Sequence, residues 1–246
     1  MKAKKGTVFL GKYTSKRKLG KGAFGDVYLV EDGEKQNYAL KCISKKKMSG
    51  ENDHLLEYLE SEVEVMKKMD CRNLVKLYEF SEDEDNYFML MEYCDGGDLI
   101  NLQVRQPDGV FSLEDTLDCL KQVVMGLEEL HSKGYLHRDI KMQNVMVKTE
   151  NGEKVYKVGD FGFAKKNSMR ETVLGTENFM SPEVYRAGIE QVEMAYQQAD
   201  YYGYEVDMWA FGVLMFYMLN RSFPFGTPVL MQTSTPTGRW RRSTKC

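Results

Sequence analysis

Residues 137–144 bring an acid, two cations and an amide together within one short segment, His-Arg-Asp-Ile-Lys-Met-Gln-Asn. A second acid follows in Asp160-Phe161-Gly162, sixteen residues after Asn144. Two carboxylates, a lysine and an asparagine at this spacing suit the alignment of a hydroxyl group with a metal-bound phosphate. The segment therefore predicts a site for phosphoryl transfer.

A glycine-rich segment, Gly20-x-Gly22-x-x-Gly25, is a candidate phosphate-binding loop. The same string opens dinucleotide-binding Rossmann domains, in which a helix follows the glycines. Here residues 26–30 are strand-like, which favours a hairpin over the phosphates. Taken alone, the motif is also compatible with a plain glycine-rich hairpin. A dinucleotide oxidoreductase is disfavoured because it leaves the later motifs unexplained.

Lys41 stands at the end of an apolar strand, where its ammonium could point into a cleft and meet a polyanionic phosphate. A lysine at the end of a strand is more often simply solvated. The next predicted helix carries Glu60, Glu62 and Glu64, and the spacing alone does not decide which of them could pair with Lys41.

The composition indicates an ordinary globular protein, with 246 residues, 42% hydrophobic and 29% charged. The net charge of -3 gives no global signal for nucleic acid or an anionic membrane. The longest apolar run, Met208–Leu219, is shorter than the roughly twenty residues of a membrane span. Five cysteines without a C-x-x-C pair argue against disulfides and a zinc site, and for a reducing, cytoplasmic location. No sustained apolar segment follows Leu10, so no signal peptide is expected.

Hydrophobic periodicity predicts a β-rich first third and a helix-rich remainder. The Gly96-Gly97 pair is a candidate linker between the two parts, since glycine permits reorientation. Strands are predicted within residues 7–43 and at Leu74–Phe80, Tyr87–Tyr93, Val145–Val147 and Val155–Val158. Three helices are predicted. The first covers residues 54–69, the second runs from an N-cap at Ser112 to a C-terminal Gly134, and the third covers Met208–Leu219.

These motifs, in this order, make the chain similar to the eukaryotic protein kinases from about Tyr13 to Phe225. The matching elements are Gly20/Gly22/Gly25/Val27, Lys41, residues 137–144, Asp160-Phe161-Gly162 and Ser181-Pro182-Glu183. The resemblance implies an α+β fold of two lobes, with a small antiparallel β N-lobe carrying one main helix. The mostly helical C-lobe would lack its last helices. The implied boundaries are a kinase domain at 13–225 (N-lobe about 13–93, hinge about 92–98, C-lobe 99–225) and a divergent, disordered tail at 226–246.

The resemblance also implies ATP and Mg²⁺ as cofactors and assigns roles to individual residues. Asp139 would be the base, assisted by Lys141, Asn144, Lys41 and Glu62; Glu62 is chosen because it lies twelve residues before Leu74, the family's spacing. Asn144 and Asp160 would hold the metal. The nucleotide would contact Leu19, Gly20, Gly22, Gly25, Val27, Ala39, Lys41, Glu92, Cys94, Asp98 and Met146.

Regulation and substrate class follow from the same resemblance. Lys141 and Thr176 are typical of serine/threonine kinases, and Phe163 of a preference for serine. Arg138 would pair with a phosphate on Thr172; the alternative, which the resemblance favours less, is that Thr172 is an unmodified loop residue. The implied partners are protein substrates and possible regulatory subunits, with no nucleic acid and no transmembrane segment. The strings around the hinge and the catalytic loop resemble the autophagy-initiating Unc-51-like group, and other kinase groups share parts of them.

Three departures from the family pattern qualify this interpretation. Glu177 and Ser181 stand where many members have proline and alanine. Residues 189–202 read as a surface insertion. After Phe225 the sequence does not follow the family's last helices, which predicts exposed apolar surface on Met208–Leu219 and an isolated chain of low stability. The alternative function is therefore a catalytically impaired nucleotide-binding or scaffold module.

Overall fold

The structure is a computed structural model that describes residues 3–21, 25–48, 54–166, 176–182, 184 and 203–225. Several predictions concern residues outside these ranges and stay predictions. They are the phosphate-binding role of Gly22, the regulatory role of Thr172, the contribution of Glu183, the insertion at 189–202 and the tail at 226–246.

An antiparallel six-stranded sheet forms the N-lobe, with strands in the order β1-β2-β3-β4-β6-β5. The strand that begins at Gly25 pairs with both of its neighbours in antiparallel register, so Gly20 and Gly25 lie in paired strands and Gly25 does not precede a helix. The strands are β1 (Val8–Phe9), β2 (Tyr13–Lys21), β3 (Gly25–Glu31), β4 (Asn37–Ser44), β5 (Leu77–Glu82) and β6 (Asn86–Glu92).

The prediction of a strand beginning at Leu74 is wrong, because β5 begins only at Leu77. The preceding residues bond to the C-lobe instead. Leu74 forms an isolated parallel bridge with Val158, and the amide of Val75 donates to the Val158 carbonyl at 2.8 Å. Apolar character alone could not distinguish this connection from the strand that follows it.

Alternation along β4 places hydrophobic residues on both faces of the sheet. Leu40 and Cys42 pack into an outer cluster that Phe9 of β1 helps to cover. Ile43 belongs to the main core, together with Val63 of helix α2. Two helices precede β5, namely α1 (Lys45–Met48) and α2 (His54–Lys68).

The C-lobe combines helices with two small sheets, ordered β10-β9-β7 and β11-β8. Its longest helix, α4, begins as predicted, since the hydroxyl of Ser112 accepts a hydrogen bond from the Asp115 amide at 3.0 Å. Gly134 follows its end with φ +79°, as expected of a residue just past a helix C-terminus. The elements are β7 (Gly97–Asp98), α3 (Leu99–Gln103), α4 (Leu113–Ser132), β8 (Tyr135–Leu136), β9 (Val145–Glu150), β10 (Glu153–Val158), β11 (Lys165–Lys166) and α5 (Glu205–Asn220).

Helix α5 is apolar on nearly every side and begins three residues before the predicted start. Val213, Leu214 and Met218 are buried in the core, whereas Met208 and Met215 are 47% and 42% exposed. Within the described ranges, no helix has both the length and the hydrophobicity needed to span a bilayer. The predicted α+β fold of two lobes is confirmed.

Two helical glycines offer a matched test of packing between the lobes. A Cβ on Gly126 of α4 would lie 2.8 Å from the Asn73 carbonyl oxygen, whereas a Cβ on Gly212 of α5 would meet nothing within 4 Å. We expect Gly126→Ala to lower the free energy of unfolding by about 1–3 kcal/mol, because it overpacks this contact. Gly212→Ala should raise it by up to about 1 kcal/mol, because alanine favours the helix. Denaturant titration of both variants checks the sign, and a stabilised Gly126→Ala would contradict the close approach.

Candidate active site

The carboxylate of Asp139, in the loop between β8 and β9, is surrounded by polar side chains. Its side chain is 1% exposed, and three donors bind its two oxygens. Thr176 Oγ1 donates to Oδ1 at 2.7 Å. Lys141 Nζ and Asn144 Nδ2 reach Oδ2 at 2.6 and 2.9 Å. Hydrogen bonds to an ionised group are the strong ones, so the position of this carboxylate is tightly fixed.

Lys141 connects the carboxylate to the segment that contains Thr176. Its Nζ lies 2.8 Å from Thr176 Oγ1, which accepts from the lysine while it donates to Asp139. A small pocket opens beside this triangle. It is lined by Arg138, Asp139, Ile140, Thr176, Phe179, Met180, Ser181, Val184, Val206 and Ala210. Its largely apolar wall could receive a side chain adjacent to an acceptor hydroxyl.

Asp207, in the first turn of α5, binds the backbone of the loop just before Asp139. Its Oδ2 accepts from the His137 amide at 2.9 Å and contacts His131 Nε2 at 2.8 Å, and its Oδ1 accepts from the Arg138 amide at 2.7 Å. Complete burial would raise the pKa of Asp207, but the hydrogen bonds from His131 and the two amides outweigh that effect and lower it. The buried carboxylate is therefore ionised at neutral pH and fixes the two residues that precede Asp139.

Arg138 adopts a left-handed backbone conformation, with φ +66°. A non-glycine residue pays about 1–2 kcal/mol for this geometry, so other contacts must hold it. The Asp207 carboxylate binds its amide, and its own Nε donates to the Phe163 carbonyl at 2.8 Å. These bonds tie the loop that contains Asp139 to the segment after Asp160.

The Asp160-Phe161-Gly162 motif is anchored by its aromatic residue. Phe161 is completely buried and packs edge-on against His137, with ring centroids 5.5 Å apart. Asp160 itself is exposed and has φ +61°. A Cβ built on Gly162 would lie 3.4 Å from Asp160 Oδ1 and 3.8 Å from Glu62 Oε2. The exposed carboxylate and the α2 glutamate thus flank the same glycine.

Lys41 and Glu62 form a bidentate ion pair between β4 and α2. Lys41 Nζ lies 2.8 Å from each oxygen of the Glu62 carboxylate. Glu62 is buried, whereas Glu60 and Glu64 are exposed. In the folded helix, Glu62 lies three residues after the buried Leu59 and four before the buried Met66, so its side chain faces inward.

The predicted hinge residues lie where β6 passes into the C-lobe. Glu92 and Cys94 are buried. A Cβ on Gly96 would lie 2.8 Å from the Val147 side chain, so the chain can pass this point only as glycine. Asp98 caps α3, accepting from the Asn101 amide at 2.7 Å. This cap orients Asp98 and leaves its Oδ2 without a bond among the described residues.

The other predicted nucleotide contacts are divided between the two lobes. In the N-lobe sheet, Val27 of β3 pairs with Lys41, and Ala39 of β4 pairs with Met91 of β6. In the C-lobe, Met146 of β9 pairs with Asp98. The partly buried members of this set are Leu19, Gly20, Gly25, Val27, Ala39 and Met146.

The predicted metal ligands, Asn144 and Asp160, would supply an amide and a carboxylate oxygen, which are donors that Mg²⁺ prefers. Because Asn144 Nδ2 donates to both the carbonyl and the carboxylate of Asp139, its Oδ1 is the atom left for a cation. Among the described residues, no group of three or more histidine, cysteine, aspartate or glutamate side chains forms a metal site. Two protein ligands fit an ion that takes its other oxygens from phosphate and water.

The main residue that sequence reasoning missed is Asp207. An acid in the first turn of an apolar helix suits the helix dipole and needs no further explanation. Its three donors come from residues about seventy positions earlier in the chain, which periodicity does not reveal. The weak signal was its place directly before the apolar run that begins at Met208.

Comparison with known proteins agrees with this geometry. The model of the protein kinase domain family, described as "Protein kinase domain", matches residues 13–237. The chain is 34% identical to calcium-dependent protein kinase 5 of Plasmodium falciparum over 85% of its length and 34% of that protein's. It is 32% identical to human serine/threonine-protein kinase ULK1, over 89% and 20% of the two chains. It is 31% identical to myosin light chain kinase A of Dictyostelium discoideum, over 87% and 68%. The chain thus spans about a third of the first relative, and it belongs to the protein kinase domain family.

Proposed function

We propose that this chain transfers the γ-phosphoryl group of Mg-ATP to serine and threonine hydroxyls of proteins, with Asp139 as the base. The observation that carries the proposal is the buried Asp139 carboxylate, held by Thr176, Lys141 and Asn144 within 2.9 Å. Family membership and the names of the kinase relatives support protein phosphorylation as the reaction class.

In this mechanism Asp139 accepts the proton of the acceptor hydroxyl as its oxygen bonds to the γ-phosphorus. The bond between that phosphorus and the bridging oxygen breaks, and ADP leaves. Lys141 is placed by Asp139 and Thr176 to stabilise charge on the moving phosphoryl group. The residues' task is mainly positioning, since the transition state of such reactions is loose.

Lys41, held by Glu62, would orient the α- and β-phosphates. Asn144 and Asp160 would hold Mg²⁺, which supplies neutralisation of the phosphate charge when bound. Lys141 and Thr176, the two residues typical of serine/threonine kinases, are in contact at 2.8 Å, which supports the serine/threonine preference. Membership of the Unc-51-like group stays a prediction, since the identity to ULK1 does not exceed that to the calcium-dependent kinase.

Radiolabelled ATP, Mg²⁺ and a generic protein acceptor test the proposed reaction directly. Phosphoserine and phosphothreonine should accumulate with the purified chain, and chelation of the metal should stop the transfer. If Mg-ATP raises the melting temperature but no label is transferred, the proposal fails and the chain is a nucleotide-binding module.

Lys41→Met is expected to lower kcat/KM for ATP by about 10- to 100-fold, because hydrogen bonds to charged groups contribute about 1.5–3 kcal/mol. The change also leaves Glu62 buried without its cation, which costs stability. Steady-state kinetics and denaturant titration should therefore be measured together.

The double variant Lys41→Met/Glu62→Leu separates the two effects. It removes the unpaired charge and should recover much of the lost stability, but none of the lost activity. Recovery of activity together with stability would show that Lys41 serves the fold only.

A further inference from the structure

A group of charged side chains that includes Glu92 of the hinge takes no part in the chemical step described above. We call it the hinge ion cluster: Arg72, Glu92, Lys148, Glu150 and Lys157. Glu92 Oε1 lies 2.5 Å from Lys148 Nζ, and its Oε2 lies 3.2 Å from Lys157 Nζ. Glu150 Oε1 lies 3.5 and 3.6 Å from the same two lysines, and its Oε2 accepts from Arg72 Nε at 3.0 Å.

The central pair of this cluster is removed from solvent. The Lys157 and Glu92 side chains are 4% and 7% exposed, whereas Arg72 at the rim is 60% exposed. Burial works against the charged form of Lys148, but its hydrogen bond to Glu92 outweighs that effect and raises its pKa. A buried lysine needs specific partners, and all of those around Lys157 belong to elements at the lobe boundary.

Lys157 joins three segments of the chain at one atom. Besides Glu92 and Glu150, its Nζ donates to the Arg72 carbonyl, in the connection between α2 and β5. The neighbouring Val158 extends this attachment, since its amide donates to the Asn73 carbonyl at 2.8 Å. The β9–β10 hairpin of the C-lobe is thereby bonded to an N-lobe connection and to the last residue of β6.

Glu92 is the point where this attachment can affect nucleotide binding. It is the last residue of β6, its amide donates to the Lys76 carbonyl at 2.8 Å, and the chain runs from it through Cys94 into the C-lobe. A hinge held at its side chain loses less conformational freedom when a ligand binds to its backbone.

We propose that Lys157 is a positioning residue for the nucleotide, which holds the hinge through Glu92 and thereby strengthens ATP binding. This inference rests on the proposed function, because it takes the hinge backbone as the binding surface for the adenine. It concerns binding and not the chemical step, so it predicts a change in KM with little change in kcat.

Lys157→Met should raise KM for ATP by about 5- to 10-fold, where 10-fold corresponds to about 1.4 kcal/mol. At saturating ATP, kcat should stay within about 2-fold of the wild type. Lys157→Arg keeps the charge and should restore most of the affinity. Lys154→Met is the matched control, because Lys154 lies on the same strand but forms an exposed pair with Asp115 at 3.0 Å.

Glu92→Gln provides a second route if Lys157→Met does not fold, since it keeps the side-chain shape and removes the charge that Lys157 meets. It should raise KM for ATP in the same way. A folded Lys157→Met or Glu92→Gln with unchanged or tighter ATP binding would overturn the inference, as would an equal effect of Lys154→Met.

Direct titration with Mg-ADP distinguishes failure of this inference from failure of the proposed function. If the wild type transfers no phosphate but Lys157→Met still binds Mg-ADP several-fold more weakly, the hinge role stands without the catalytic one. If transfer is normal and the Mg-ADP affinities of wild type, Lys157→Met and Lys154→Met agree, only the hinge role fails.

Discussion

Asp139→Asn is expected to lower kcat for phosphoryl transfer by about 10²- to 10⁴-fold, the contribution of a positioned base. The substitution keeps the shape of a side chain that is 1% exposed and bonded to Thr176, Lys141 and Asn144. It removes the proton acceptor and the negative charge that Lys141 meets. Because none of the proposed nucleotide contacts changes, Mg-ATP affinity should stay near that of the wild type.

Single-turnover transfer and Mg-ATP titration on the same preparations measure the two quantities separately. Asp118→Asn is a suitable control, because Asp118 lies exposed on α4 and accepts only from Gln122 among the hydrogen bonds of the described part of the chain. Its activity should equal that of the wild type. An Asp139→Asn protein that kept more than a tenth of wild-type activity would show that another group takes the proton.

Three of the residues predicted to do chemistry lie close together in the sequence. Asp139, Lys141 and Asn144 fall within six positions, and the structure joins their side chains directly. Short spacing restricts where side chains can lie, so a local motif carries much of its own geometry. The N-lobe hairpin was predictable for the same reason, since an alternating strand directly follows Gly25.

Longer-range contacts were not predictable in this way. Lys157 lies in a strand whose alternation predicts only which residues share a face, yet its side chain is 4% exposed and bonds to residues of the hinge and of the α2–β5 connection. Leu74 and Val75 read as strand residues but bond to Val158 of the other lobe. In each case the partner is decided by how the lobes pack against each other. The hydrophobic pattern of a single sequence does not specify that packing.

Asp207→Asn is expected to lower the free energy of unfolding by about 3–5 kcal/mol, the cost of breaking a buried charged network. Asp207 is fully buried and accepts from the His137 and Arg138 amides and from His131 Nε2. Three donors now share the two oxygens of the carboxylate. An asparagine offers only one acceptor oxygen, and its NH₂ group would have to face a donor. The catalytic loop loses its anchor as well, so kcat should fall by about 10²-fold, the cost of a small misplacement of reacting groups.

The lowered pKa of Asp207 also predicts how this loss of unfolding free energy depends on pH. The pKa of Asp207 is lower in the folded protein than its ordinary value, so its ionisation stabilises the fold above the unfolded-state pKa of about 3.9. This contribution is lost as the pH falls through the folded-state pKa. The difference in unfolding free energy between wild type and Asp207→Asn should therefore be full at pH 7 and shrink below about pH 4.

Denaturant titrations of both proteins across this pH range measure the effect, and Asp115→Asn is the matched control. Asp115 also lies in the first turn of a helix, where its hydrogen bonds with Lys154 and Ser112 lower its pKa, but its side chain is 34% exposed. Its replacement should cost no more than about 1 kcal/mol, as is usual for exposed pairs. Equal costs for the two substitutions would mean that the buried anchor beneath the catalytic loop contributes no more than a surface ion pair, and the assignment of Asp207 as the residue that positions Asp139 would have to be withdrawn.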